Sequence, residues 1–187
     1  MTKKTMSLVA VLLLVLSLGL LPAAAETEEN TIYVNIANAG KLEAAMEPIA
    51  LADADGDGAL TVNDALILIH DAKYEGGAAA GFATADSQYG PMITKLWGVE
   101  NGGSYGYYVN NTMSMGLTDP VAAGDVVYAF VYADAAGFSD AYSYFDKSQA
   151  EIADGEELTL TLSKADGFDA NYAPIYKPLE GAVITVD

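Results

Sequence analysis

Residues 53–64 restrict the fold of this chain more than any other segment. They read DADGDGALTVND, with aspartate at positions one, three and five and glycine at position six. Oxygen ligands at these positions, with glycine at the sharp turn, are the pattern of an EF-hand calcium loop. Carboxylates crowded in this way repel one another unless a cation lies between them. The segment therefore predicts a calcium site, and the alternative is an acidic surface turn without a metal.

The EF-hand pattern assigns a role to each candidate ligand. The candidate ligands are Asp53, Asp55, Asp57, Ala59, Thr61 and Asp64. Ala59 would contribute its backbone carbonyl, and Thr61 its hydroxyl, directly or through a water molecule. Asp64 departs from the pattern because a bidentate glutamate is usual at position twelve. Hard oxygen ligands in a chain without cysteine favour calcium over zinc or copper.

A helix is predicted directly after the acidic segment, over residues 62–74. Thr61 is the expected N-cap, and Asp64 three residues later completes a capping-box arrangement. Apolar residues recur at the spacing of one helical face, and the glycine pair at residues 76–77 ends the helix. His70, the only histidine, lies late on this helix and is expected to have a structural rather than a catalytic role.

Alternating and β-branched runs predict that the rest of the chain is rich in strands. The predicted strands are residues 31–36, 46–52, 92–99, 104–110, 126–132, 158–162 and 182–186, and residues 76–91 are expected to be a connection. The strand at 126–132 is apolar on both faces and is expected to be central. The predicted fold class is α+β: a mixed sheet with one main helix over residues 26–146, then a small β-rich segment over residues 147–187.

The first 25 residues have the three parts of a secretory signal peptide. Lys3 and Lys4 precede an apolar stretch over residues 7–21, which is short for a membrane span, and small residues precede Glu26. The alternative is an uncleaved anchor helix. We expect cleavage, no stable membrane span afterwards, and a secreted or cell-surface protein of a Gram-positive-type bacterium.

The charge balance excludes some classes of partner. The chain carries 26 acidic residues against eight Lys and Arg, giving a formal net charge of −18. Nucleic acids and anionic membrane surfaces are poor partners for such a chain, because binding to them needs clustered cations. We expect an extracellular protein, a glycan or a small molecule as partner. The chain has no cysteine, so it must be stabilised by its core, by a metal, or by both.

Three short motifs carry a resemblance to a known family. They are TVNDAL at residues 61–66, GYYVN at residues 106–110 and AGDVV at residues 123–127. Over roughly residues 31–134 the chain resembles the transcobalamin C-terminal-like domain, a β-grasp-type module of exported bacterial proteins, although Asn111 stands where that family usually has glycine. The resemblance implies a non-catalytic binding or display module. In transcobalamins the corresponding domain covers a corrinoid, so a corrinoid or another small ligand is the second hypothesis.

Two further resemblances are local. The acidic segment, residues 53–64, is similar to one of the two calcium loops of a dockerin, where aspartate also takes the last position. The tail over residues 157–187 resembles the opening strands of an immunoglobulin-like module.

The remaining candidates are aromatic and acidic side chains. Trp97 and Tyr142 are the suspected ligand contacts of a tyrosine-rich middle region, with strand packing as the alternative reading. The chain has no nucleophile-elbow motif, so we predict no catalytic residues and no enzymatic activity. A glycan-acting hydrolase, which needs only two suitably separated carboxylates, is the third hypothesis.

Overall fold

The computed structural model describes residues 30–171 and 173–183, and this part of the chain has an α+β fold. The predicted signal peptide lies outside the described residues. The last predicted strand lies partly outside them, and its residues 182–183 belong to no strand. No helix within the described residues is long and apolar enough to cross a membrane.

The described residues form two helices, a main sheet, a C-terminal sheet and a hairpin. The helices are α1 (Val62–Lys73) and α2 (Gly77–Gly81). The strands are β1 (Thr31–Asn38), β2 (Lys41–Ala50), β3 (Ala83–Ser87), β4 (Gly90–Lys95), β5 (Tyr105–Val109), β6 (Thr112–Met113), β7 (Val126–Val131), β8 (Ser143–Phe145), β9 (Leu162–Phe168) and β10 (Pro174–Pro178). The main sheet has the order β2-β1-β7-β5-β6, the C-terminal sheet the order β10-β9-β8, and β3 pairs with β4.

The main sheet is mixed because β1 and β7 run parallel while its other neighbouring strands are antiparallel. A parallel pair needs a long crossover connection, and the chain between β1 and β7 includes β2, both helices and the β3–β4 hairpin. The strand predicted to be central, β7, is the middle strand of this sheet. Only one of its faces is fully buried, since alternate residues are half-exposed.

The core lies between one face of the main sheet and α1. Ile32 and Val34 of β1, Val127 of β7, and Leu66 and Ile69 of α1 are all fully buried there. Each such side chain contributes roughly 1.5–3 kcal/mol of burial free energy. Alternation along the strands directs the neighbouring side chains to the opposite face of the sheet.

The predicted capping box of α1 is confirmed. The Thr61 side chain accepts a hydrogen bond from the Asp64 N–H, and the Asp64 carboxylate accepts one from the Thr61 N–H. The helix ends at Lys73, one residue before the predicted end.

Several strand predictions differ from the structure. The predicted strand at 158–162 is wrong, because Leu158 is exposed and β9 begins only at Leu162, so alternation there does not reflect a half-buried strand. The predicted connection at 76–91 instead contains α2, β3 and the start of β4. β4 ends at Lys95 because a tight turn follows, in which Leu96 and Val99 exchange backbone hydrogen bonds.

The C-terminal sheet packs on the main sheet. Its first strand, β8, lies before the predicted segment boundary at residue 147. The ring of Tyr142 stacks on Tyr108 of β5, with ring centroids 3.8 Å apart and planes 8° apart. The hydroxyl groups of Tyr142 and Tyr176 both donate hydrogen bonds to Asn111, at its side chain and its carbonyl respectively. Aromatic stacking and hydrogen bonds therefore connect the two sheets.

Candidate metal site

Three aspartates of the acidic segment lie together in the loop between β2 and α1. Asp53, Asp55 and Asp57 are exposed, and each offers a carboxylate oxygen within 4.8 Å of the others. Two glycines allow the backbone to turn so tightly, because Gly56 and Gly58 have φ values of 78° and 88°, a region that favours glycine. We call these three residues the aspartate cluster.

The loop backbone wraps around the Asp53 carboxylate. Its Oδ1 accepts hydrogen bonds from the N–H groups of Gly56 at 2.7 Å and Asp57 at 3.1 Å, and its Oδ2 accepts one from Gly58 at 3.0 Å. Asp55 Oδ1 accepts a bond from the Asp57 N–H at 3.1 Å. A carboxylate has about four lone-pair sites, so both side chains keep acceptor capacity for a cation.

Within the described part of the chain, no lysine forms an ion pair with the aspartate cluster. The ion pairs found among residues 30–171 and 173–183 involve other acids, and none includes a member of the cluster. Three carboxylates at this separation repel one another, and the repulsion is relieved by a bound cation. The all-oxygen donor set fits a hard cation such as calcium.

Asp64, the candidate ligand at position twelve, is buried and does not belong to the aspartate cluster. Its Oδ1 accepts bonds from the N–H groups of Ala54 at 2.7 Å and Asp55 at 3.3 Å. Its Oδ2 accepts bonds from the Thr61 N–H at 2.9 Å and from the Thr61 hydroxyl at 2.8 Å. These four bonds use the usual acceptor capacity of a carboxylate. In this arrangement Asp64 joins the start of the loop to the start of α1.

The two other candidate ligands have different surroundings. The Thr61 hydroxyl is buried and donates to Asp64. Ala59 is exposed and donates its N–H to Asp57 Oδ1 at 2.8 Å. Of the six candidate ligands, the structure thus brings together the carboxylates of the aspartate cluster. It places Thr61 and Asp64 in the interior, beneath the loop.

Asn63 is a residue of this site that the sequence analysis did not single out. Its Nδ2 donates to Asp55 Oδ2 at 2.8 Å, while its Oδ1 is buried without a hydrogen-bond partner. Exchanging the two ends of this amide would turn its oxygen toward the Asp55 carboxylate, which is favourable only with a cation between them. Its place at position eleven of the segment, beside the capping aspartate, was the signal available in the sequence.

Backbone hydrogen bonds fix both ends of the loop. At the entrance, the N–H of buried Leu51 donates to the Asn30 carbonyl at 2.7 Å. At the exit, the N–H of Val121 donates to the Leu60 carbonyl at 3.0 Å, and the N–H of Val62 donates to the Asp119 carbonyl at 3.0 Å. These hydrogen bonds therefore attach the end of the loop to the segment that leads into β7.

His70 is fully buried and makes two hydrogen bonds through its ring. Nδ1 donates to the Leu66 carbonyl at 2.6 Å, because a carbonyl can only accept, and Nε2 accepts from the Trp97 N–H at 3.0 Å. Burial lowers the pKa of His70, while the hydrogen bond to Leu66 and the charge of Asp71 act in the opposite direction. The neutral ring therefore ties α1 to the turn that follows β4.

The structure does not bring the two suspected ligand contacts together. Trp97 has a φ of 48° and packs against His70 and Tyr74, with ring centroids 5.0 and 5.3 Å away, on the α1 side of the main sheet. Tyr142 stacks on Tyr108, on the opposite side. Tyr142 lines a cleft on that side of the sheet.

No family model matches this chain, and neither a curated protein nor a solved structure shows significant similarity to it. The resemblances to the transcobalamin C-terminal-like domain, to a dockerin loop and to an immunoglobulin-like module therefore stay predictions. Any functional conclusion has to be built from the chain's own geometry.

Proposed function

We propose that this protein is a secreted or cell-surface binding module without catalytic activity, stabilised by one calcium ion in residues 53–64. The aspartate cluster is the observation that carries this proposal. Its three exposed carboxylates are held close together by backbone N–H groups, in a loop whose glycines adopt positive φ.

The side chains of Asp53, Asp55 and Asp57 would supply carboxylate oxygens to the ion. Ala59 would contribute its carbonyl, and Thr61 a hydroxyl directly or through water, as the EF-hand pattern assigns them. Asp64, the residue at position twelve, already accepts four hydrogen bonds. Its contribution to the site includes closing the loop, whether or not it also contacts the ion.

A bound calcium ion supplies positive charge that offsets the repulsion within the cluster. Because the loop's exit is hydrogen-bonded to residues 117–121, holding the loop also holds the chain leading into β7. The ion would therefore stabilise the junction between the main sheet and α1, which is a structural role.

We further propose a β-grasp-like arrangement for the main sheet with α1, and an incomplete immunoglobulin-like unit for the C-terminal sheet. A mixed five-stranded sheet with one main helix on one face supports the first. A three-stranded antiparallel sheet of short strands supports the second.

The test is a calorimetric titration of calcium into the mature, chelator-stripped protein. Extracellular calcium sites of this kind bind at roughly 10⁻⁴–10⁻³ M, so the titration must reach about 10 mM calcium. At that concentration such affinities stabilise the folded state by about 1.4–2.7 kcal/mol. We expect saturable one-site binding and a matching rise in melting temperature.

Two variants complete the test. Asp57→Ala removes one member of the aspartate cluster and should abolish the saturable binding. Asp154→Ala, in an exposed turn of the C-terminal region, removes the same charge elsewhere and should leave the binding unchanged. Binding heat that survives Asp57→Ala, or no rise in melting temperature in millimolar calcium, would refute the metal site.

A further inference from the structure

A cleft of about 540 Å³ lies on the face of the main sheet opposite α1, between that sheet and the C-terminal sheet. Its volume is within the range of small-ligand sites in proteins, roughly 300–1,000 Å³. Tyr128 and Phe130 of β7 form its floor, Met46 of β2 forms part of one wall, and Tyr142 and Tyr144 form the other. Together with Phe145, these residues place five aromatic rings around the cleft, among aliphatic and small side chains.

The β2 wall contains a strained β-bulge. Met46 has a φ of 48°, which non-glycine residues rarely adopt. The register between β1 and β2 shifts near Asn35, which is buried. Asn35 Oδ1 accepts a hydrogen bond of 2.8 Å from the Met46 N–H. Bulges redirect side chains beside functional sites, and strained residues persist where the surrounding structure holds them. This wall is therefore shaped by a specific, buried polar contact.

The aromatic rings are held in fixed orientations. Tyr142 stacks on Tyr108, and its hydroxyl donates to Asn111 Oδ1 at 2.7 Å. Tyr128 meets Tyr142 edge-on, at 5.3 Å and 78°. Tyr144 in turn packs at 88° against Tyr176. Rings positioned before binding lose little conformational freedom when a ligand arrives, which favours affinity.

The polar groups of the cleft indicate what kind of ligand it takes. The lining contains one acid, Asp140, and one base, Lys147, in a chain whose net charge is −18. Burial raises the pKa of Tyr128, so its hydroxyl stays neutral. Ser143 and Ser148 add two more hydroxyl groups. A ligand without net charge, with flat apolar faces and a polar rim, matches this lining.

We propose that the cleft binds a neutral saccharide chain, whose pyranose rings lie against the faces of Tyr128 and Tyr144. The apolar C–H faces of the sugar would contact the aromatic rings, and its hydroxyl groups would reach Asp140, Lys147 and Ser143. This proposal rests on the proposed function as an extracellular binding module and adds the class of its ligand. The calcium loop takes no direct part in it, since none of its residues lines the cleft.

The experiment is a calorimetric titration of the mature protein, in calcium, with four neutral hexasaccharides: cellohexaose, xylohexaose, mannohexaose and maltohexaose. We expect saturable one-site binding of at least one probe. Tyr144→Ala should weaken it at least about tenfold, since aromatic anchors dominate binding energies. Ala45→Trp fills the cleft from an exposed position without removing any packing and should have the same effect. Tyr89→Ala, on the exposed hairpin tip between β3 and β4, is the matched control and should bind normally.

Sedimentation of the unliganded protein tests whether a second copy of the chain occupies the cleft instead of a saccharide. No saturable binding of any of the four probes, equal weakening by Tyr89→Ala, or self-association that Ala45→Trp disrupts would each overturn the proposal. The calcium response of the melting temperature is recorded on the same samples. If the melting temperature responds to calcium but no saccharide binds, only the proposal for the cleft is refuted. If a saccharide binds but the melting temperature does not respond to calcium, only the metal site is refuted.

Discussion

Replacing Asp64 by asparagine separates the two roles that its position allows. The substitution keeps the shape of the side chain but exchanges one carboxylate oxygen for an N–H donor. In the folded protein, the two oxygens of the fully buried Asp64 side chain accept bonds from Ala54, Asp55 and Thr61. Asparagine can keep the two bonds to one oxygen. On the other side, its new N–H group can donate to the Thr61 hydroxyl, because a hydroxyl also accepts.

The Thr61 N–H then has no acceptor, and the Thr61 hydroxyl loses the carboxylate oxygen to which it donates its hydrogen. A hydrogen bond to a charged acceptor contributes about 1.5–3 kcal/mol, and an orphaned buried donor costs about 1–3 kcal/mol. We therefore expect Asp64→Asn to lower the free energy of unfolding by about 2–3 kcal/mol. That loss decreases the folding equilibrium constant by roughly 30- to 150-fold.

Urea denaturation followed by tryptophan fluorescence, in EDTA and again in 10 mM calcium, measures this loss. The destabilisation by Asp64→Asn should already be present in EDTA, because the hydrogen bonds of Asp64 do not depend on a metal. Asp57→Asn, in contrast, should be nearly neutral in EDTA and lose stability relative to the wild type only in calcium. An Asp64→Asn variant that matches the wild type in EDTA would show that the capping bonds contribute nothing, and would refute the reasoning.

Three further predictions concern the packing around the sheets. Burial lowers the pKa of His70 below its unfolded value of about 6.5, so the unfolded chain binds the proton at a higher pH than the folded protein does. The contribution of His70 to stability is therefore complete above about pH 6.5. It falls by up to about 1.4 kcal/mol per pH unit as the pH decreases toward the folded pKa. His70→Gln should remove that part of the slope in urea denaturation between pH 7.5 and 5, and identical slopes would contradict the assignment. Gly106→Ala places a methyl group in steric overlap with the Phe130 ring and should destabilise the protein by about 1–3 kcal/mol in thermal unfolding; unchanged stability would contradict the packing described. Tyr142→Phe removes the hydroxyl bond to Asn111 and should cost about 1 kcal/mol, whereas an unchanged melting temperature would mean that stacking alone holds this contact.

Local signals were sufficient where the structure depends on neighbouring residues. The capping box of Thr61 and Asp64 lies within four residues of sequence, and it was predicted correctly along with the start of α1. The central position of β7 followed from its apolar composition. The spacing of the aspartate cluster likewise indicated which carboxylates lie together.

Features that depend on tertiary contacts could not be predicted in this way. The bulge at Met46 needs Asn35 of the adjacent strand, 11 residues away, and the stacking of Tyr142 needs Tyr108 of another sheet. The alternation at residues 158–162 has the period of a strand, yet these residues find no partner strand before Leu162. The spacing of Asp64 fits both a metal ligand and a helix cap, so the sequence left the two roles open.

The turn after β5 has a consequence for how this chain can be divided or recombined. Asn110 and Asn111 have φ values of 49° and 63°, which glycine would adopt more easily. Asparagine at 111 gives up that ease but offers a side-chain oxygen that accepts the Tyr142 hydroxyl, while the backbone carbonyl at the same position accepts the Tyr176 hydroxyl. The turn is therefore matched to the segment that follows it. If the main sheet were joined to a different C-terminal unit, that unit would have to supply equivalent hydroxyl donors. Otherwise glycine would suit position 111 better than asparagine. We therefore expect the two parts of this chain to be inherited together rather than exchanged separately.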